Sequence, residues 1–382
     1  MSDIDIVRDY KDLDNYFYVT YDVKSTVSVY DAAWGIAVGQ SIGNPSTRSV
    51  WETPEMIEAH CAKIIRNENF SKKSGKVVIG YPNANIDWSS DGISHLLCII
   101  MGGQTDIDSI KQCRVIDLEI HPDIIYKHMR RPRYGITGMR NLTGVGNKPF
   151  FGGIVKPKTG ITPNQLLDMV KELVDGGVNF IKEDEILSNP AINRLEDRVP
   201  LLAKYLEGKN VVYTFCINSD PLYVLDRARF VANHSNDTGL GVHVNIWSGL
   251  GVYKSIRDLN LPLFIHYQKS GDKVLTHKNN AFGFSWQVLC QLAAYSGVDS
   301  IHSGMWGGYL SDTEEDITAT FKVLHEGNVV PALSCGMTAE LIPPIVEKFG
   351  VDWMANVGGA IHGHAQGTLA GAKKIRKAID AL

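Results

Sequence analysis

The stretch Gly177-Val178-Asn179-Phe180-Ile181-Lys182-Glu183-Asp184-Glu185 sets an apolar β-type run against one lysine and three acids. Strand side chains alternate between faces, so Lys182 and Asp184 share a face and Glu185 falls where the strand yields to its loop. Two carboxylates at a strand mouth suit Mg2+, which takes one or two carboxylates and completes its shell with water and substrate oxygens. A lysine ammonium would repel that cation. Lys182 is therefore either a plain ion-pair partner of Asp184 or an oxygen ligand made by reaction with CO2, the carbamate replacing its positive charge. Taken alone, Lys-x-Asp-Glu is most simply a structural salt bridge.

The pattern Gly-x-x-Phe-x-Lys-x-Asp-Glu, preceded by Gly153-Ile154-Val155-Lys156-Pro157-Lys158, resembles the large subunit of ribulose-bisphosphate carboxylase (RuBisCO) and the RuBisCO-like proteins. The resemblance implies that carbamylated Lys182, Asp184 and Glu185 hold Mg2+, and that Lys156 and Lys158 face substrate as acid/base and phosphate-contacting groups. It also implies a ferredoxin-like α+β domain ahead of a (β/α)8 barrel. Asn179 stands where the family usually has aspartate.

The rest of the chain must position that run. With 382 residues, 44% hydrophobic and 21% charged, the sequence has room for two globular domains. A net charge of -4 without a basic cluster argues against nucleic acid or an anionic membrane as partner. No run reaches the ~18 apolar residues of a membrane span. Met-Ser-Asp-Ile-Asp-Ile at the start lacks a signal-peptide core, which points to the cytoplasm. Cys61, Cys98, Cys113, Cys216, Cys290 and Cys335 have no Cys-x-x-Cys spacing and read as reduced, buried thiols.

Residues 1–125 read as an α+β unit. Strands are expected at Tyr16 to Val23, Lys76 to Tyr81 and Cys113 to Ile120, with helices at Tyr30 to Val38, Thr53 to Arg66 and Ile93 to Met101. One sheet covered on one face by two helices fits this order. Residues 126–149 form a connection. From 150 to 382 a strand, loop and helix recur. Strands are expected at Gly152 to Lys158, Asn179 to Glu185, Val211 to Ile217, Gly241 to Ile246, Leu261 to Tyr267, Ser300 to Gly304, Val329 to Gly336 and Trp353 to Gly359. Helical patterns fall at Pro163 to Asp175, Phe284 to Tyr295, Ala339 to Phe349 and Thr368 to Ile379. This rhythm predicts a barrel whose active site lies at the C-terminal strand ends.

Polar residues gather at those ends: His266 closes strand five, His302 strand six, Ser334 and Gly336 strand seven, Gly358 and Gly359 strand eight. Glycines after strands seven and eight expose backbone N–H groups that suit a phosphate. The resemblance implies that His266 helps proton transfer and that His302, Ser334, Gly336, Gly358 and Gly359 surround substrate and phosphate. His362-Gly363-His364 is not read as a metal site, nor Gly144-Val145-Gly146 as a nucleotide loop.

Departures from the family narrow the activity. Tyr309 stands where the family's CO2-side lysine belongs, and Tyr267 replaces a phosphate-binding arginine, with Lys269 nearby as a partial substitute. Gly39 to Pro45 loses a glutamate and a tryptophan, and Gly103 replaces a metal-side asparagine. A neutral phenol cannot stabilise developing negative charge as an ammonium does. The expectation is a RuBisCO-like, Mg2+-dependent enolase or isomerase acting on a phosphorylated ketose of the methylthio-sugar type, without CO2 fixation. The rivals are a true carboxylase, a decarboxylase or carboxyl-transfer enzyme on a sugar-acid phosphate, and a non-catalytic barrel. The resemblance implies a homodimer with shared active sites and no small subunit.

Overall fold

The computed structural model describes residues 5–235, 239–310 and 312–382. Met1 to Ile4, on which part of the localisation reading rests, lie outside the described residues. The chain forms two compact units, Met1–Met129 with Gly271–Leu292, and Arg130–Ser270 with Ala293–Leu382. In chain order the strands are β1 (Val7–Arg8), β2 (Tyr16–Ser25), β3 (Lys63–Ile65), β4 (Ser74–Pro82) and β5 (Ile110–Glu119). Then come β6 (Phe150–Ile154), β7 (Phe180–Lys182), β8 (Val212–Cys216), β9 (Gly239–Asn245), β10 (Phe264–Gln268), β11 (Phe282–Phe284), β12 (Ser300–Gly304), β13 (Val330–Leu333) and β14 (Met354–Val357).

The first unit is a six-stranded sheet ordered β1-β3-β4-β2-β5-β11. Alternation writes β2: Phe17, Val19, Tyr21 and Val23 are all fully buried. The helix Val29–Gly39 packs on β2, β3 and β4, its first turn capped by the Ser28 side chain accepting from the Asp31 amide. Thr53 to Arg66 is not one helix. The helix Pro54–His60 stops at Cys61, and Lys63–Ile65 pairs antiparallel with β4; β-branched Ile64 and Ile65 favour the pleated edge over a helical turn. Phe284 belongs to β11, so the helix expected from Phe284 runs Trp286–Tyr295.

The second unit is a closed barrel ordered β6-β7-β8-β9-β10-β12-β13-β14, all neighbours parallel. Phe150, Phe180, Val212, Phe264, Val330 and Met354 each open a strand, and together they fill one end as an apolar layer. The helix Gly135–Thr143 closes that end: Met139 enters the cluster while Ile136, Leu142 and Tyr134 pack against it. Gly144, left-handed at φ 67°, caps this helix. Several strands are shorter than expected. The strands end at Ile154, Lys182, Leu333 and Val357, so Lys156, Lys158, Asp184, Glu185, Ser334, Gly336 and Gly358 sit in the loops beyond, and Gly359 opens the short helix Gly359–His362. Not every cysteine is buried: Cys98 is exposed and Cys335 half-buried. Among the described residues no helix is long and apolar enough to cross a membrane.

Candidate active site

Beyond the apolar layer the barrel interior turns polar. Lys182, Thr214, His243, His266, His302 and Asn356 are all buried. Over them opens a cavity of about 320 Å3 lined by Lys156, Lys158, Lys182, Asp184 and Glu185, and also by His302, Ser334, Gly336, Gly358 and Gly359. One expected member is elsewhere. His266 is fully buried inside β10, its Nδ1 2.7 Å from Ser300 Oγ and its ring 4.7 Å from that of His302. Because β10 runs on through Gln268, alternation gives the mouth position to Gln268, which lines the cavity in place of His266.

The plain ion pair between Lys182 and Asp184 does not form. Asp184 is held instead by Lys156, whose Nζ donates to Oδ2 at 2.5 Å, with Lys158 Nζ at 3.8 Å. Burial acts to raise the Asp184 pKa, but the hydrogen bond from Lys156 and the charges of Lys156, Lys182 and Lys158 outweigh it and leave the carboxyl below its usual range. Glu185 accepts from Ser270 Oγ at 3.1 Å, and its carbonyl accepts from Asn218 Nδ2 at 2.7 Å. Lys182 is 1% exposed. Burial pushes its pKa down to about 8 against the opposing charges of Glu185 and Asp184. A lysine so placed has a sizeable neutral fraction near neutrality, the form that attacks CO2.

Among the described residues no three histidines, cysteines or carboxylates cluster as a metal site. Asp184 and Glu185 nonetheless face one cavity with Lys182. Two hard-oxygen donors plus the carbamate that Lys182 could carry match Mg2+, so the donor set fits the ion.

Opposite chemistry lines the rest of the cavity. Asn356 Nδ2 donates to His302 Nε2 at 2.6 Å, which leaves the neutral ring its proton on Nδ1. Burial, with the Lys182 charge next, holds His302 well below the ordinary histidine range. Gly336 has φ 108°, and a Cβ there would lie 2.7 Å from the Tyr309 backbone nitrogen, so glycine is required on both counts. Next to it Cys335, at φ 74°, takes a left-handed conformation without being glycine. Tyr309 lines the cavity and is 85% exposed, whereas Tyr267 is fully buried, stacked on Tyr253 at 4.8 Å and away from the cavity. Lys269 lines the cavity. In the first unit the Gln104 side chain fills the space that a Cβ at Gly39 would need, so a glutamate there would require Gln104 to move. His362 is used locally: its Nε2 donates to the Ile154 carbonyl at 3.0 Å. Sequence reading missed Gln268 and Asn356, polar residues in strands that carry no motif.

A closed parallel barrel with a lysine and two carboxylates at its open end, facing the glycines that follow its last two strands, has the layout of a (β/α)8 barrel whose site lies at the C-terminal strand ends. Residues 135–329 and 323–382 match the ribulose bisphosphate carboxylase large chain catalytic domain, and residues 5–124 match its N-terminal domain. The chain belongs to the RuBisCO large-chain family. It is 30% identical over 371 residues to the ribulose bisphosphate carboxylase of Pyrococcus furiosus, covering 93% of this chain and 86% of that one. The fold matches the octameric carboxylase/oxygenase of Pyrococcus horikoshii with a TM-score of 0.88 at 28% identity, over 99% of this chain and 90% of that one. It also matches a RuBisCO-like protein (MtnW) from Alicyclobacillus acidocaldarius with a TM-score of 0.82 at 25% identity, over 96% and 94% of the chains.

Proposed function

We propose that this protein is a RuBisCO-like, Mg2+-dependent enolase or isomerase that abstracts an α-proton from a phosphorylated ketose of the methylthio-sugar-phosphate type and does not fix CO2. The observation that carries the reading is one cavity that joins Lys156, Lys158, Lys182, Asp184 and Glu185 to His302 and the glycine loops, with Tyr309 rather than a lysine at its edge. Bound through Asp184, Glu185 and carbamylated Lys182, Mg2+ would polarise the substrate carbonyl and stabilise the enediolate charge. Lys156, beside Asp184, stands where it can take the α-proton on Nζ once that carboxylate is otherwise engaged; Lys158 contacts the phosphate or serves as the alternative base. His302 Nδ1–H, Ser334 and the backbone amides near Gly336, Gly358 and Gly359 receive the phosphate, and His266, behind the His302 ring, assists proton transfer.

Tyr309, at the cavity edge, cannot stabilise a new carboxylate as an ammonium does, which favours enolisation over carboxylation. A homodimer is the smallest assembly proposed, with the segments around Gly39 to Pro45 and Gly103 of one copy completing its partner's site, in the cytoplasm.

Solvent-deuterium exchange into a panel of ketose monophosphates and methylthio-ketose phosphates, with Mg2+ and bicarbonate, tests the reading. Loss of the α-proton signal is the expected result; no exchange across the panel contradicts it. The names of the archaeal relatives and the cavity-lining Lys269 favour a second reading, a ribulose-bisphosphate carboxylase. Acid-stable incorporation of labelled CO2 with ribulose bisphosphate would establish that instead.

A further inference from the structure

Glu183 stands between Lys182 and Asp184 and faces the other way. Its side chain is fully buried, and Arg198, equally buried, donates to both its oxygens, Nε at 2.7 Å and Nη2 at 2.9 Å. The Tyr213 hydroxyl adds a bond at 3.1 Å and the Cys216 backbone amide another at 2.7 Å. Arg198 also reaches the carbonyls of Ser188 at 2.6 Å and Asn193 at 2.7 Å, in the loop that follows Glu185.

This clasp sits at the end of the strand. The ladder to β8 runs on to Glu183, whose N–H donates to the Thr214 carbonyl at 3.2 Å, and Asp184 and Glu185 leave the sheet just beyond it. With Glu183 fixed to β8 and to the helix Leu195–Leu206, alternation turns Lys182 and Asp184 together toward the cavity. Glu183 is at the same time kept from swinging in as a competing partner for the Lys182 ammonium. Stability alone does not account for the arrangement, because a buried ion pair is often no more stabilising than apolar residues of the same volume.

We propose that the Glu183–Arg198 pair is the positioning device of the metal centre, setting the mutual orientation of Lys182, Asp184 and Glu185. This rests on reading those three residues as the Mg2+ site. Neither Glu183 nor Arg198 touches substrate.

The test compares wild type with the double variant Glu183→Met/Arg198→Met, which removes both charges and keeps the bulk. The measurements are Mg2+ affinity by calorimetry in bicarbonate, the 13C carbamate signal on Lys182 from labelled bicarbonate, and the melting temperature. The expected result is a folded double variant with a lowered melting temperature, because the Tyr213 hydroxyl, the Cys216 amide and the Ser188 and Asn193 carbonyls lose their partners, and with Mg2+ affinity reduced about 10- to 100-fold and a weakened carbamate signal, as for other groups that orient metal ligands. Wild-type affinity and carbamate in the folded double variant overturn the proposal. If that variant does not fold, Glu183→Gln, which keeps the shape and some of the hydrogen bonds, decides: a several-fold loss of Mg2+ affinity supports positioning and no loss overturns it. A wild type that neither binds Mg2+ nor forms the carbamate overturns the metal-centre reading itself.

Discussion

The two ends of the barrel follow opposite rules. At the closed end Phe150, Phe180, Val212, Phe264, Val330 and Met354 bury apolar surface against one another and the helix Gly135–Thr143. At the open end Thr214 Oγ1, His266 Nε2, Gln268 Oε1 and Asn356 Oδ1 are buried and no protein group hydrogen-bonds them. Left without any partner each such atom would cost about 1–3 kcal/mol, so this layer suits water or a polar ligand rather than apolar packing. The closed end supplies the packing against which the open end holds its charged and polar groups.

Substitutions at the two ends should therefore separate. At the open end, Lys156→Met should lower α-proton exchange about 10^3-fold, within the range for loss of a general base, a far larger effect than the loss of stability from leaving Asp184 without its hydrogen-bonded partner. Lys158 lies farther from Asp184, at 3.8 Å, and Lys158→Met should act mainly on KM. Equal loss of kcat in both variants would contradict this division. At the closed end, Phe180→Ala should cost about 3–5 kcal/mol of stability by urea denaturation while the folded fraction keeps its exchange rate within a few fold. A large loss of rate per folded molecule would show that the ends are not separable.

Smaller effects sharpen the contrast. Asn356→Leu removes the 2.6 Å bond to His302 and should raise KM for the phosphorylated substrate about tenfold, with kcat little changed. An unchanged KM would take His302 out of phosphate binding. A pH dependence probes the same layer. Burial is the main reason that His243, His266 and His302 are held well below the ordinary histidine value, with nearby Lys182 and His302 adding to it. From about pH 6.5 downward the unfolded chain takes up protons that the folded barrel refuses, so stability is full above that pH and falls as the pH drops. The melting temperature should decline between pH 7.5 and pH 5.5; a flat profile would mean that this layer protonates without cost.

Much of this was legible in the sequence, for definable reasons. The period-2 rule correctly placed Lys182 and Asp184 on one face, and the repeated strand-loop-helix rhythm gave the barrel. Partners across the fold were not legible. Lys156 reaches Asp184 across 28 residues of sequence, and the choice of Lys156 over Lys182 depends on how two adjacent strands end. The sequence does not mark where β10 stops, so His266 lies inside the strand and not at its end, and Gln268 and Asn356 show no signal at all in apolar strands. Thr53 to Arg66 failed because a helical apolar pattern can run unbroken across the Cys61 turn into a strand.

The account turns on one dependence. Solvent-deuterium exchange into a responsive ketose monophosphate should be compared for wild type and Lys182→Met, with and without Mg2+. Exchange that requires both Mg2+ and Lys182 is the predicted result. Exchange that persists in Lys182→Met, or proceeds at full rate without Mg2+, would contradict the placement of the chemistry on this lysine and its two carboxylates.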